Sequence, residues 1–127
     1  MKKRQKIAAL AFTLTMASGL ALAQAKVEVQ GFTLVNGTTS ALVLDKQTPP
    51  AKGDQIPNSI PAKSFAQLNI ANNASAVYDQ IVYDLQGTPG AFCLIKFVYV
   101  SQQADIDSTT GVGLTCTSNG STISVSN

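Results

Sequence analysis

Ala91-Phe92-Cys93-Leu94-Ile95-Lys96-Phe97-Val98-Tyr99-Val100 is the most hydrophobic run of the chain beyond its first 25 residues, and Lys96 is its only charge. Successive residues of a strand point to opposite faces. A segment that is apolar on both parities therefore reads as a central strand covered on both sides. Cys93 falls on one face, and Phe92, Leu94, Val98 and Val100 fall on the other. Either the second sheet or the proline-rich segment covers that second face, or it is an apolar patch for a protein partner or a lipid surface.

On the N-terminal side of this run, Gly87-Thr88-Pro89-Gly90 is a turn. Before it, Val77, Ile81, Tyr83 and Leu85 share a parity that excludes Tyr78, Gln80 and Asp84. Ala66, Leu68 and Ile70 alternate with Gln67 and Asn69 in a half-buried strand that ends in an Asn72-Asn73 turn. The first strand is expected from Val27 to Val35. Val27 and Val29 have the opposite parity to Phe32 and Leu34, so a β-bulge at Gly31 is expected to bring both pairs to one side. Asn36-Gly37 is the strongest hairpin dipeptide, with Ala41-Leu42-Val43-Leu44 as its returning strand. Between Gln47 and Pro61 stand Pro49, Pro50, Pro57 and Gly53. Proline donates no ladder hydrogen bond, so this stretch is a connection crossing between sheets or wrapping an edge.

On the C-terminal side, Gln102 to Gly111 is polar and acidic and reads as a surface loop. Leu114 and Cys116 alternate with Thr115 and Thr117, Ser118-Asn119-Gly120 turns the chain, and Ile123 and Val125 alternate with Thr122 and Ser124. No stretch after the first 25 residues has helical periodicity. The class is all-β, with about seven strands, and a small two-layer antiparallel β-sandwich is the economical way to bury one face of each.

Residues 1 to 25 open with the basic head Lys2-Lys3-Arg4-Gln5-Lys6, continue through an apolar stretch from Ile7 to about Leu22, and end in small residues. This is the pattern of a signal peptide of bacterial character, with cleavage expected after Ala23 or Ala25. The apolar stretch is short and rich in Ala and Thr for a membrane span. Residues 26–127 are then one domain, periplasmic or extracellular, with no transmembrane segment after cleavage.

Cleavage removes Lys2, Lys3, Arg4 and Lys6. Lys26, Lys46, Lys52, Lys63 and Lys96 remain against Glu28, Asp45, Asp54, Asp79, Asp84, Asp105 and Asp107, turning the full chain's net charge of +2 into −2. A weakly acidic chain without arginine lacks the clustered cations that phosphate backbones demand, which excludes nucleic acid as a partner. Cys93 and Cys116 are the only cysteines. In an oxidising compartment, an isolated pair flanked by apolar strand residues reads as a disulfide.

The chain has no histidine. A tetrahedral zinc site lacks its usual ligands, nucleophilic catalysis lacks its commonest base, and no cofactor is expected. Lys63 and Ser64 adjoin in sequence but point to opposite faces of a strand. Asp79 and Asp84 differ in parity, and Asp105 and Asp107 have no aromatic sugar platform beside them, so paired-carboxylate glycoside hydrolysis finds no site. Asp105-Ile106-Asp107-Ser108-Thr109 begins like a calcium loop, but Cys116 stands where the bidentate acid belongs and the glycine comes one place late. A solvated acidic loop is the plainer reading. Asn36-Gly37-Thr38, Asn73-Ala74-Ser75 and Asn119-Gly120-Ser121 match the glycosylation pattern, and turn formation accounts for all three.

Leu34-Val35-Asn36-Gly37-Thr38 followed by Leu42-Val43-Leu44, then Ile60-Pro61-Ala62-Lys63-Ser64-Phe65 and Ile81-Val82-Tyr83-Asp84-Leu85, resembles the opening strands of the aegerolysin family in order and spacing. The resemblance spans about half of the chain after residue 25. It implies a lipid-binding β-sandwich that works at membranes, sometimes with a pore-forming partner. The chain departs from that family in lacking tryptophan and the glycine-flanked segment expected before Ile81, and no functional residue carries across.

With an export signal, a stapled β domain and no catalytic constellation, the leading expectation is a secreted or periplasmic, non-enzymatic binding or interaction module. An aegerolysin-like lipid-binding protein is the second. The third is a subunit of a surface fibre, whose alternating first strand pairs with a neighbour's edge.

Overall fold

The computed structural model describes residues 28–72 and 78–127. The expected signal segment, Asn73 of the expected turn and Val77 lie outside the described residues. Nine strands follow one another: β1 (Val29–Asn36), β2 (Leu42–Leu44), β3 (Ser59–Ile60), β4 (Ser64–Ala71), β5 (Tyr78–Leu85), β6 (Phe92–Val100), β7 (Gln103–Val112), β8 (Thr115–Asn119) and β9 (Thr122–Ser126). They form two packed sheets, ordered β4-β1-β9-β8 and β3-β2-β5-β6-β7. All neighbours are antiparallel except β1 and β9, which run parallel.

Alternation decides which side chains enter the core. Leu34, Leu68, Ile70, Ile123 and Val125 from the first sheet meet Leu42, Ile81, Tyr83, Ile95 and Phe97 from the second, all buried. The Phe32 and Phe97 rings touch across the gap with centroids 5.0 Å apart and planes tilted by 52°. Tyr83 is also enclosed, and its hydroxyl donates to the Pro57 carbonyl at 2.6 Å. Burial pushes its phenol well above the usual range, so it stays a neutral donor.

The disulfide joins Cys93 on β6 to Cys116 on β8, stapling one sheet to the other as the cysteine pattern required. Three expectations are corrected. The ladder between β1 and β4 runs unbroken from Val29 to Asn36, so Gly31 is not a bulge; Val29 simply faces outward while Phe32 and Leu34 face in. Asn36-Gly37 does not turn a hairpin, because β1 and β2 belong to different sheets. It is an arch over the end of the core.

The third correction concerns the segment from Gln102 to Gly111, which from Gln103 on belongs to β7, paired with β6, and is not a loop. The register shifts between Lys96 and Phe97, so that Ile106 opposes Phe97, Ser108 opposes Lys96 and Asp107 is left over as a bulge. Inward positions are therefore Ala104 and Ile106 before the bulge and Thr109 after it, which breaks the period of two that sequence reading looks for. β7 then turns a tight corner into β8 through Gly113, held at φ +69°. A Cβ there would lie 2.9 Å from that of Ala91.

Candidate functional site

β6 sits between β5 and β7, and the register sets its outward side chains in cross-strand rows: Asp84–Phe92–Val112, Val82–Leu94–Thr110, Gln80–Lys96–Ser108 and Tyr78–Val98–Asp105. Phe92, Leu94 and Val98 thus share one face, as expected, with Val100 at its end. Val100 is 60% exposed, Tyr78 52% and Val112 43%, while the other three β6 side chains are half-buried by their neighbours in the sheet. The Cys93 face of β6 is buried in the core, whereas Phe92, Leu94 and Val98 on the reverse are half-buried. Lys96, the cation at the centre of the open face, lies over the Tyr78 ring with its Nζ 4.7 Å from the centroid, a contact that neutralises little but keeps the ammonium in place.

The proline-rich segment does its work at the side of the sandwich. Gln55 and Asn69 exchange both backbone hydrogen bonds, at 2.8 and 3.0 Å, which attaches the segment to the β4 edge. Leu44 donates to the Asn58 carbonyl and Thr48 Oγ1 accepts from the Val82 N–H, which attach it to the second sheet.

The outer face of the first sheet has a different chemistry. Its rows read Gln67–Thr33–Thr122–Asn119 and Phe65–Val35–Ser124–Thr117, uncharged throughout. Phe65, 71% exposed, is its most exposed large apolar side chain among the described residues, ahead of Val29 and Val35.

At the end of the sandwich where β4 finishes and β5 begins, Asp54 accepts hydrogen bonds from the N–H of Ala71 at 2.8 Å and of Ala51 at 3.1 Å. Asp79 of β5 lies close enough to act on the same carboxyl. Burial, reinforced by Asp79, pushes Asp54 up to about 6 against the two backbone donors that favour its ionised form. Tyr99 on β6 is raised to about 12, by burial and by the two carboxylates. A second pair, Asp84 with Asp45, raises Asp84 through burial and then the neighbouring charge. Neither pairing is legible in the sequence: Asp79 and Asp84 differ in parity, and each instead lies near an acid from the segment before β3.

Asp105 and Asp107, expected in a loop with calcium-like spacing, stand on β7, where the backbone is committed to the ladder with β6. No group of three or more acidic or cysteine side chains with metal-holding geometry occurs among the described residues. Asp105, Val100, Gln30, Ser101, Gln103 and Ala104 line an open cleft of about 400 Å³ beside the turn from β6 to β7. Cys93 and Cys116 are both consumed by the disulfide, which is consistent with an oxidising, exported environment. No helix among the described residues is long and apolar enough to cross a membrane. Comparison with protein-family models, curated proteins and solved structures finds no match to this chain.

Proposed function

We propose that this chain is an exported, non-enzymatic binding module that docks on a partner protein through the open face of its five-stranded sheet. The observation that carries the reading is the set of cross-strand rows in which Phe92, Leu94 and Val98 flank Lys96 and which end in Asp84 and Asp105. Apolar side chains interleaved with a few polar and charged groups are the anatomy of a protein interface. The acids at the rim and the single lysine in the middle suit a protein surface better than an anionic membrane. A non-enzymatic reading also suits the Asp54–Asp79 pair, since both oxygens of Asp54 are taken up by backbone N–H groups.

The test is affinity capture from the exported fraction with the wild-type chain and with Leu94→Asp/Val98→Asp. A partner retained by the first and lost by the second, with both chains folded by circular dichroism, supports the docking face. Retention unaffected by the double substitution overturns it. Co-sedimentation with zwitterionic or anionic vesicles, abolished by the same substitutions, would select the lipid-surface reading that the aegerolysin resemblance supports. Concentration-dependent self-association in size exclusion, lost in the same variant, would make the partner a second copy and favour the fibre subunit.

A further inference from the structure

A strand at the edge of a sheet presents a row of unpaired N–H and C=O groups, and the two sides of this sandwich treat their edges differently. On one side lie β3 and β4. β3 is two residues long and stands between Pro57 and Pro61, which donate no ladder hydrogen bond. β4 is covered where Gln55 and Asn69 exchange both backbone hydrogen bonds. On the other side lie β7 and β8. β7, with ten residues, is the longest strand.

From Ser108 to Asn127 the sequence holds no Lys, Arg, Asp, Glu or Pro. The C-terminal half of β7 and the whole of β8 therefore lack the charged and proline residues that keep edges apart. Ser108, Thr110, Gly111 and Val112 are exposed. Among the described residues, no backbone hydrogen bond reaches Ser108–Val112 except those of the ladder with β6. At Gly111 the two edges come flush, because a Cβ there would run into the Leu114 carbonyl and lie 2.9 Å from the Cys116 nitrogen. The N-terminal half of β7 is different. It carries Asp105 and Asp107, and the bulge at Asp107 breaks its ladder.

We propose that a second copy of this chain adds its own β7 to this edge, antiparallel across Ser108–Val112, with the two-fold axis at Thr110. Side chains that share a face must stay on that face across the new seam. Ser108, Thr110 and Val112 share the outer face, opposite Lys96, Leu94 and Phe92 of β6. Centring the pair on Thr110 sets Ser108 against Val112 of the second copy, Thr109 against Gly111 and Thr110 against itself, a favourable cross-strand pair. Asp107 then faces Gly113, so no like charges oppose one another. Centring on Asp105 would oppose two carboxylates, and centring on Ile106 would oppose Asp105 to Asp107. The acids and the bulge thus direct pairing to the uncharged half. The same segment serves both copies, as a two-fold interface requires. Two five-stranded sheets become one of ten, and the row Val82–Leu94–Thr110 continues into Thr110–Leu94–Val82 of its twin. This pairing uses the edge of the sheet and does not rest on the docking reading of its face.

A five-residue ladder is smaller than a standard interface of about 1,600 Å², so the pair is weak and is best read by covalent trapping. Opposed Cα atoms of an antiparallel pair lie about 4.5–5.5 Å apart, within the span of a disulfide. In a glutathione redox buffer, Thr110→Cys should form a cross-linked dimer. Ser108→Cys and Val112→Cys should cross-link when mixed and not singly, and Gln103→Cys should stay monomeric, with Cys93–Cys116 verified by mass mapping in each. In sedimentation velocity, the wild-type mass should rise with concentration, and Thr110→Lys, which sets two cations face to face, should weaken association roughly fivefold. Leu94→Asp/Val98→Asp, aimed at the docking face, should leave it in place. Thr110→Cys cross-linking no faster than Gln103→Cys, a wild-type chain monomeric up to its solubility limit, or self-association lost in the face variant and kept in Thr110→Lys overturns the pairing.

Discussion

The two ends of the sandwich are held by opposite kinds of chemistry. At the Cys93 end, the layers are joined covalently to β8 and sealed by the Asn36 arch. Asn36 is fully buried, and its Nδ2 donates to the carbonyls of Ser40, Ile60 and Pro61 at 2.9, 3.0 and 3.1 Å. Its Oδ1 accepts from the N–H of Thr38 at 3.0 Å and from its hydroxyl at 2.7 Å. One amide thus serves five groups drawn from two segments, residues 38–40 and 60–61, and Gly37 N–H closes the arch on the Val125 carbonyl at 2.7 Å. At the Asp79 end, by contrast, the buried acceptors Asn72 Oδ1 and Asp79 Oδ2 are both without donors among the described residues. There Ser101 and Gln102 hold φ of 52° and 70°, a left-handed pair without glycine. The first end is closed by a covalent bond and a saturated amide, with Lys63 left-handed at φ 56°, whereas the second has two left-handed residues in succession and two buried acceptors without donors among the described residues.

Substitution separates the ends by the sign of the effect. Asn36→Ala should cost about 3–5 kcal/mol in chemical unfolding, because the arch carbonyls and the Thr38 N–H lose their shared partner inside the core. Asn36→Asp should do nearly as badly, since an oxygen replaces the amide nitrogen that faces three carbonyls; near-normal stability in that variant would break the account of the arch. Removing the disulfide with Cys93→Ala and Cys116→Ala should cost about 3 kcal/mol for a sequence separation of 23. An equal loss on adding reductant to the wild type would confirm that the bond, and not the side-chain volume, is responsible. At the other end the direction reverses. Ser101→Asn with Gln102→Gly fits the two left-handed positions of the β6–β7 turn and should raise stability by about 1 kcal/mol. A loss on making that change would show that the turn is not strained.

β6 shows how far pattern reading reaches. Its double-faced hydrophobicity placed it inside a sheet, set Cys93 toward the core and set Phe92, Leu94 and Val98 together on the reverse, because period-two alternation is a local property of any strand. β7 shows where it stops. Its side chains are polar because it is an outer strand with much of one face in water, and the Asp107 bulge shifts the inward parity midway, so nothing local distinguishes it from a loop. Asn36-Gly37 failed for a related reason: the dipeptide favours a turn, but the turn's geometry does not say whether the next strand returns to the same sheet.

The sequence by itself determined the strand-forming segments, the pairing of the only two cysteines and the sorting of apolar side chains onto faces, since each depends on neighbours one or two residues apart or on having no alternative partner. Tertiary structure alone decided which face stayed open and which acids met. Asp54 comes from a proline-rich crossover and Asp79 from a separate strand, and the burial that raises Asp54 exists only once the two layers have closed.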